Sequence, residues 1–129
     1  MRPGNAHPPT AEDRDRLPPD IEMMRVTADR LLDPDAAPGV LPPSAAEVDI
    51  LIQLMRGQLE LLIPDIQRVT GEHPKNVAHY CALACVGEAR ERLRLEPGSG
   101  RDRAVAYGRR LARVLNALCD HYENIGLRS

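Results

Sequence analysis

The sequence has no phenylalanine, no tryptophan and only three tyrosines among its 129 residues. With 43% of residues apolar and 2% aromatic, a core must be assembled from Leu, Ile, Val, Met and Ala, which favours helix packed on helix over a β-sandwich. Cysteine is scarce too. Three residues, an odd number, argue against a secreted disulfide framework and for reduced thiols. No apolar run approaches a bilayer span and no signal-peptide core is present, so a cytoplasmic protein without a membrane segment is expected. A surplus of either charge is also missing. Seventeen Lys+Arg and 19 Asp+Glu leave −2 at pH 7, which disfavours wholesale electrostatic binding of nucleic acid or an anionic membrane. Serine is limited to Ser44, Ser99 and Ser129, none in a G-x-S-x-G frame, and the C-x-x-C and H-E-x-x-H signatures are absent. Pro97-Gly98-Ser99-Gly100 lacks the following Lys and preceding strand of a phosphate loop.

The prolines divide the chain. Nine of 12 lie in residues 1–43, where 5 basic and 8 acidic side chains sit, whereas residues 44–129 carry 12 and 11. Met1 to Pro19 has no periodic apolar pattern and is expected to be a disordered, Pro-rich arm. From Asp20 the pattern turns helical: Ile21, Met24, Ala28, Leu31 and Leu32 share a face behind a capping aspartate, predicting a short helix over 20–33. Pro34, Pro38, Pro42 and Pro43 then predict an extended connector over 34–43.

Ser44-Ala45-Ala46-Glu47 reads as a capping box opening a helix of about 27 residues. Val48, Leu51, Ile52, Met55, Leu59, Leu62, Ile63, Ile66 and Val69 fall within an arc of roughly 120°, a core stripe. A second stripe, Ile50, Leu54, Gly57 and Leu61, lies nearly opposite, so the helix is expected to face two neighbours. Pro64 predicts a kink or a division into two helices. Val77, Tyr80, Cys81, Ala84, Cys85, Ala89 and Leu93 predict the inner face of a third helix. The last helix, from Ser99 or Arg101 to Gly126, has a 4-3-4 seam of Ala104, Gly108, Leu111, Leu115, Leu118, Tyr122 and Ile125. Short loops make these neighbours antiparallel. The fold expected is therefore all-α: one domain over 20–126, an up-down antiparallel bundle of three long helices (44–126) plus the shorter N-terminal helix.

Side chains able to carry chemistry are few and poorly grouped. Cys81, Cys85, Cys119, His79 and His121 have the donor types of a zinc site, but His79 and Cys81 diverge by about 200° around their helix, as do Cys119 and His121. Cysteines in an Ala-rich stripe are better read as small buried residues. Asp120 and His121 diverge by about 100°, so the Asp120–Glu123 group reads as a solvated final turn rather than a triad. Eight arginines between Glu88 and Arg113 make a local anion patch, with Arg109, Arg110 and Arg113 on the outer face of the last helix. A solvated face, partly neutralised by pairs such as Glu88–Arg92, is the simpler account. Gly57, Gly87 and Gly108 interrupt helix interiors at about 1 kcal/mol each, which suits either close helix crossing or a cavity.

Four stretches together resemble a little-characterised family of small helical actinobacterial proteins, of unknown function and loosely labelled natural-product-biosynthesis proteins. They are Asp20 to Leu32, Leu59 to Pro64, Cys81 to Arg90, and Leu118 to Asn124. The resemblance covers about residues 20–125. It implies a helical fold and a biosynthetic setting, and it transfers no catalytic residue.

The protein is expected to be a non-catalytic interaction or regulatory module without a cofactor or metal, self-associating as a homodimer or binding another protein through Ile50, Leu54, Gly57 and Leu61. The alternative is a small enzyme or ligand-binding protein holding an apolar intermediate inside the bundle, with Tyr80, Cys85, His121 and Tyr122 as polar groups. That requires a pocket of about 300 Å³ or more.

Overall fold

A computed structural model describes residues 18–33, 39 and 41–126. The expected N-terminal arm lies outside the described residues except for its last two positions, and most of the 34–43 connector does likewise. Four helices account for the described body: α1 (Ile21–Leu32), α2 (Ala45–Thr70), α3 (Val77–Arg94) and α4 (Arg101–Asn124).

Each helix starts where its sequence supplies a partner for free amides or a permissive backbone. The Met23 amide donates to the Asp20 carboxylate at 3.0 Å, the Glu47 amide to Ser44 Oγ at 3.1 Å, and the His79 amide to Asn76 Oδ1 at 2.8 Å. α4 instead begins at Gly100, with φ +91, which has no side chain to cap with. The Ser44 half of the capping box forms, while the Glu47 carboxylate is engaged by Arg30, whose Nε and Nη2 donate to its two oxygens at 2.7 and 3.0 Å. That fork joins the end of α1 to the start of α2 and holds the Glu47 carboxyl below its usual range. α2 runs through Pro64 as one helix. Pro64 is exposed, so the Glu60 carbonyl that it leaves without an amide partner faces water, where the loss is mildest. Gly71, at φ +68, ends α2 in a conformation that Cβ-bearing residues avoid.

Contacts between helix ends fix the up-down order. Arg25 at the start of α1 pairs with Asp120 and Glu123 at the end of α4, at 2.8 and 2.9 Å, while Arg109 near the start of α4 donates to the Leu31 carbonyl at 3.2 Å, so α1 and α4 are antiparallel. Arg101 donates to the Pro43 carbonyl at 2.8 Å, which puts the starts of α2 and α4 side by side. α2 and α4 both touch α1 on one side and α3 on the other, with α4 the most extensively packed helix. Among the described residues the protein is an all-α antiparallel bundle without strands.

α4 buries more than one seam. To Gly108, Leu111, Leu115, Leu118 and Tyr122 it adds Tyr107, Ala112, Val114 and Cys119, because Asn116, Asp120 and Glu123 face α1 while Tyr107 meets the end of α3. Gly108 marks a close crossing: a Cβ there would lie 2.8 Å from Leu31 Cδ1 and 3.3 Å from Ile52 Cγ1. Gly57 and Gly87 are different, since an added Cβ would meet nothing within 4 Å at either. The expected inner face of α3 is corrected. Ala82, Cys85, Val86 and Ala89 are buried, whereas Val77, Tyr80, Cys81 and Ala84 are exposed. The small Ala82 and Ala89 side chains let α3 approach closely, and this rotates the larger Tyr80 outward.

Candidate functional site

The outer face of α2 is the most distinctive surface of the described residues. α2 spends Val48, Leu51, Ile52, Met55, Leu59, Leu62, Ile63 and Ile66 on the core. Residues diametrically opposite these, about 180° away on a 3.6-residue helix, are therefore aimed outward. Ile50, Leu54 and Leu61 are 60, 50 and 61% exposed. α1, which could have covered them, docks against α2 and α4 and leaves this row open. Gly57 stands between Leu54 and Leu61, and the missing side chain makes a notch. One shallow hollow is lined by Asp49, Ile50, Gln53 and Leu54, and it continues into a second lined by Gln53, Leu54, Gly57, Gln58, Glu60 and Leu61. Apolar ridges of Leu and Ile around a notch are the surface relief into which another helix packs. The flanks near the notch, Gln53 and Gln58, are uncharged.

The four polar groups considered for an internal pocket are placed apart. Tyr80 is 66% exposed on the outer side of α3, whereas Cys85 faces the core from the same helix, so the two line no common cavity. Tyr122 is buried and His121 half-buried on α4. Neither hollow on α2 contains any of them. Cys85 and Cys119 are buried free thiols, and burial pushes both up from the ordinary value of 9.0 to about 11, while Cys81 is exposed. Among the described residues no group of three His, Cys, Asp or Glu side chains is placed to hold a metal ion.

These thiols give a direct check. At pH 8 a water-soluble thiol reagent is expected to label one cysteine of the native protein quickly, Cys81, and all three after denaturation. The stability linkage has a definite sign: Cys85 and Cys119 stay protonated in the folded state where the unfolded chain ionises, so their contribution is complete below about pH 9 and is lost as pH rises from 9 towards 11. Denaturation midpoints followed across that window should fall for the native sequence and stay flatter for Cys85→Ala/Cys119→Ala. Rapid labelling of all three native thiols would contradict the buried placement.

The arginine patch is dispersed. Arg109 is held by the Leu31 carbonyl, Arg90 donates to Gln67 Oε1 at 2.9 Å, Arg101 reaches Pro43, and Arg92 lies 3.6 Å from Glu88. Arg110 and Arg113 are exposed. Asp120 and Glu123, read from sequence as part of a solvated turn, serve to dock α1 through Arg25.

Two consequential residues were not legible as a pair. Arg56 on α2 donates to the Leu93 carbonyl at 2.8 Å, to the Leu95 carbonyl at 3.3 Å and to Tyr107 Oη. Tyr107 Oη in turn lies 3.1 and 3.0 Å from the Arg92 and Leu95 carbonyls. Together they give side-chain partners to the Arg92, Leu93 and Leu95 carbonyls, where α3 ends. The available signal was Tyr107 itself: an aromatic on a core helix must find a partner for its hydroxyl.

A family model described as a family of unknown function, DUF6415, matches residues 22–126. The chain belongs to this family. Because the match starts within α1 and ends just past α4, α1 is part of the DUF6415 domain. No curated protein and no solved structure matches the chain. No helix among the described residues is long and apolar enough to cross a membrane.

Proposed function

We propose that this DUF6415 chain is a non-catalytic interaction module that binds another protein chain through the outer face of α2. One observation carries the reading: three large aliphatic side chains, Ile50, Leu54 and Leu61, stand exposed on one helix face around the notch at Gly57. Scattered exposed aliphatics are ordinary, and a contiguous row on a helix that already has a complete core face supports reading it as a binding surface. The chain resembles small actinobacterial proteins labelled with natural-product biosynthesis, and a regulatory or adaptor role in such a pathway is the setting proposed for it. That setting rests on the resemblance alone.

The test is Leu54→Glu/Leu61→Glu. Both side chains lie outside the core, so the variant is expected to keep its helical circular dichroism and melting temperature at low concentration while losing its association with other chains. Two carboxylates buried in an apolar contact weaken it by at least about a hundredfold. Collapse of helicity would place the row in the intramolecular core and contradict the proposal, as would a variant that assembles as the native chain does.

A further inference from the structure

We propose that the chain seated on the outer face of α2 is a second copy of this protein, antiparallel to the first and crossing it at Gly57. This rests on the reading of that face as a protein-binding surface.

The face is close to symmetric about its notch. Relative to Gly57, apolar residues lie at −7 (Ile50), −3 (Leu54), +4 (Leu61) and +7 (Pro64), the 4-3 spacing of a helix–helix seam. Reversing the helix about Gly57 lays Ile50 over Pro64 and brings Leu54 within one residue of Leu61, so the apolar row approximately complements itself, as an isologous two-fold contact requires. Gly57 supplies the reason for a glycine there. It sits in mid-helix at a helix-propensity cost, and an added Cβ would meet nothing within the chain. At a crossing point the absent side chain lets two backbones approach.

Charge bears on the direction. α2 carries the exposed Asp49 near its start and Arg68 near its end, with Arg68 60% exposed and paired to Asp65. In the antiparallel arrangement Asp49 of one copy comes level with Asp65 of the other, a carboxylate that Arg68 of its own chain already neutralises. Gln53 lies on the same flank as Glu60 of the other copy, giving an amide donor to a carboxylate twice over. A parallel pair would set Arg68 against Arg68 and Asp49 against Asp49, and the two helix dipoles would also oppose association.

The experiment uses the full chain carrying Cys81→Ser, which removes the exposed thiol, with single cysteines placed as Ile50→Cys or Pro64→Cys. Positions 50 and 64 of opposite copies are adjacent in the antiparallel pair, whereas identical positions are about 20 Å apart at 1.5 Å per residue. Mild oxidation is expected to give a covalent dimer from the mixture of the two variants and none from either alone. Gly57→Ala is the companion measurement: it should raise the melting temperature of the Leu54→Glu/Leu61→Glu chain yet weaken pairing of the native chain about tenfold or more, because the methyl groups meet at the crossing. Self-crosslinking of Ile50→Cys would overturn the antiparallel direction. A native chain that remains monomeric overturns the second copy, and in that case the reading of α2 as a protein-binding face survives only if a different protein is bound and Leu54→Glu/Leu61→Glu releases it.

Discussion

Leu115→Ala is expected to lower the unfolding free energy by about 3–5 kcal/mol, the upper part of the range for truncating a fully enclosed leucine. Leu115 has no exposed surface and sits on α4, the helix that every other helix packs against. Truncation removes the transfer term and leaves a void among residues already held by three neighbours, so little collapse into the space is possible. A domain of this size has about 5–15 kcal/mol in total, so the loss is a large share of it. Urea denaturation followed by circular dichroism checks this, provided that the slope against denaturant is unchanged. A shift below about 1 kcal/mol would mean that α4 is not the axis of the core.

The second large effect belongs to Arg56. Arg56→Ala removes one guanidinium that serves two carbonyls at the end of α3 and the Tyr107 hydroxyl at once, and a loss of about 2–3 kcal/mol is expected after allowance for its partial exposure. Tyr107→Phe keeps the buried ring and deletes only the hydroxyl, so about 1 kcal/mol is expected. Arg56→Lys should rescue little, since a single ammonium cannot reproduce the planar fork that spans the carbonyls. Hydrogen exchange gives the diagnostic beyond stability: the last turn of α3 and the following loop should exchange faster in Arg56→Ala, with α1 unaffected. Uniform acceleration throughout the bundle would contradict the local capping role.

Of these two sites, Leu115 is readable from the sequence and Arg56 is not. Leu115 belongs to a strict 4-3 seam, and its burial follows from helix period alone. The starts of α1 and α2 follow equally from Asp20 and Ser44, because a capping side chain acts on amides three residues away. The outer row of α2 could be read as a second face, since position around a helix depends only on spacing. Arg56 was unreadable for the opposite reason. Its partners come from α3 and α4, 37 to 51 residues away, and no local pattern encodes that meeting. The rotation of α3 escaped for a related cause. A helix with Ala, Cys and Gly on several sides has little amphipathic contrast, and its facing is decided by how closely neighbours approach. Asp120 and Glu123 looked like a solvated turn because their cation, Arg25, lies in the first helix.

The claim at the centre of this account is that the outer face of α2 is covered by another chain, and sedimentation velocity of the unmodified protein over a wide concentration range tests it most directly. Association to twice the monomer mass of 14.3 kDa, abolished in Leu54→Glu/Leu61→Glu with helicity intact, is the predicted result. A native chain and variant that both sediment at 14.3 kDa throughout, with neither engaging any other protein, would contradict it.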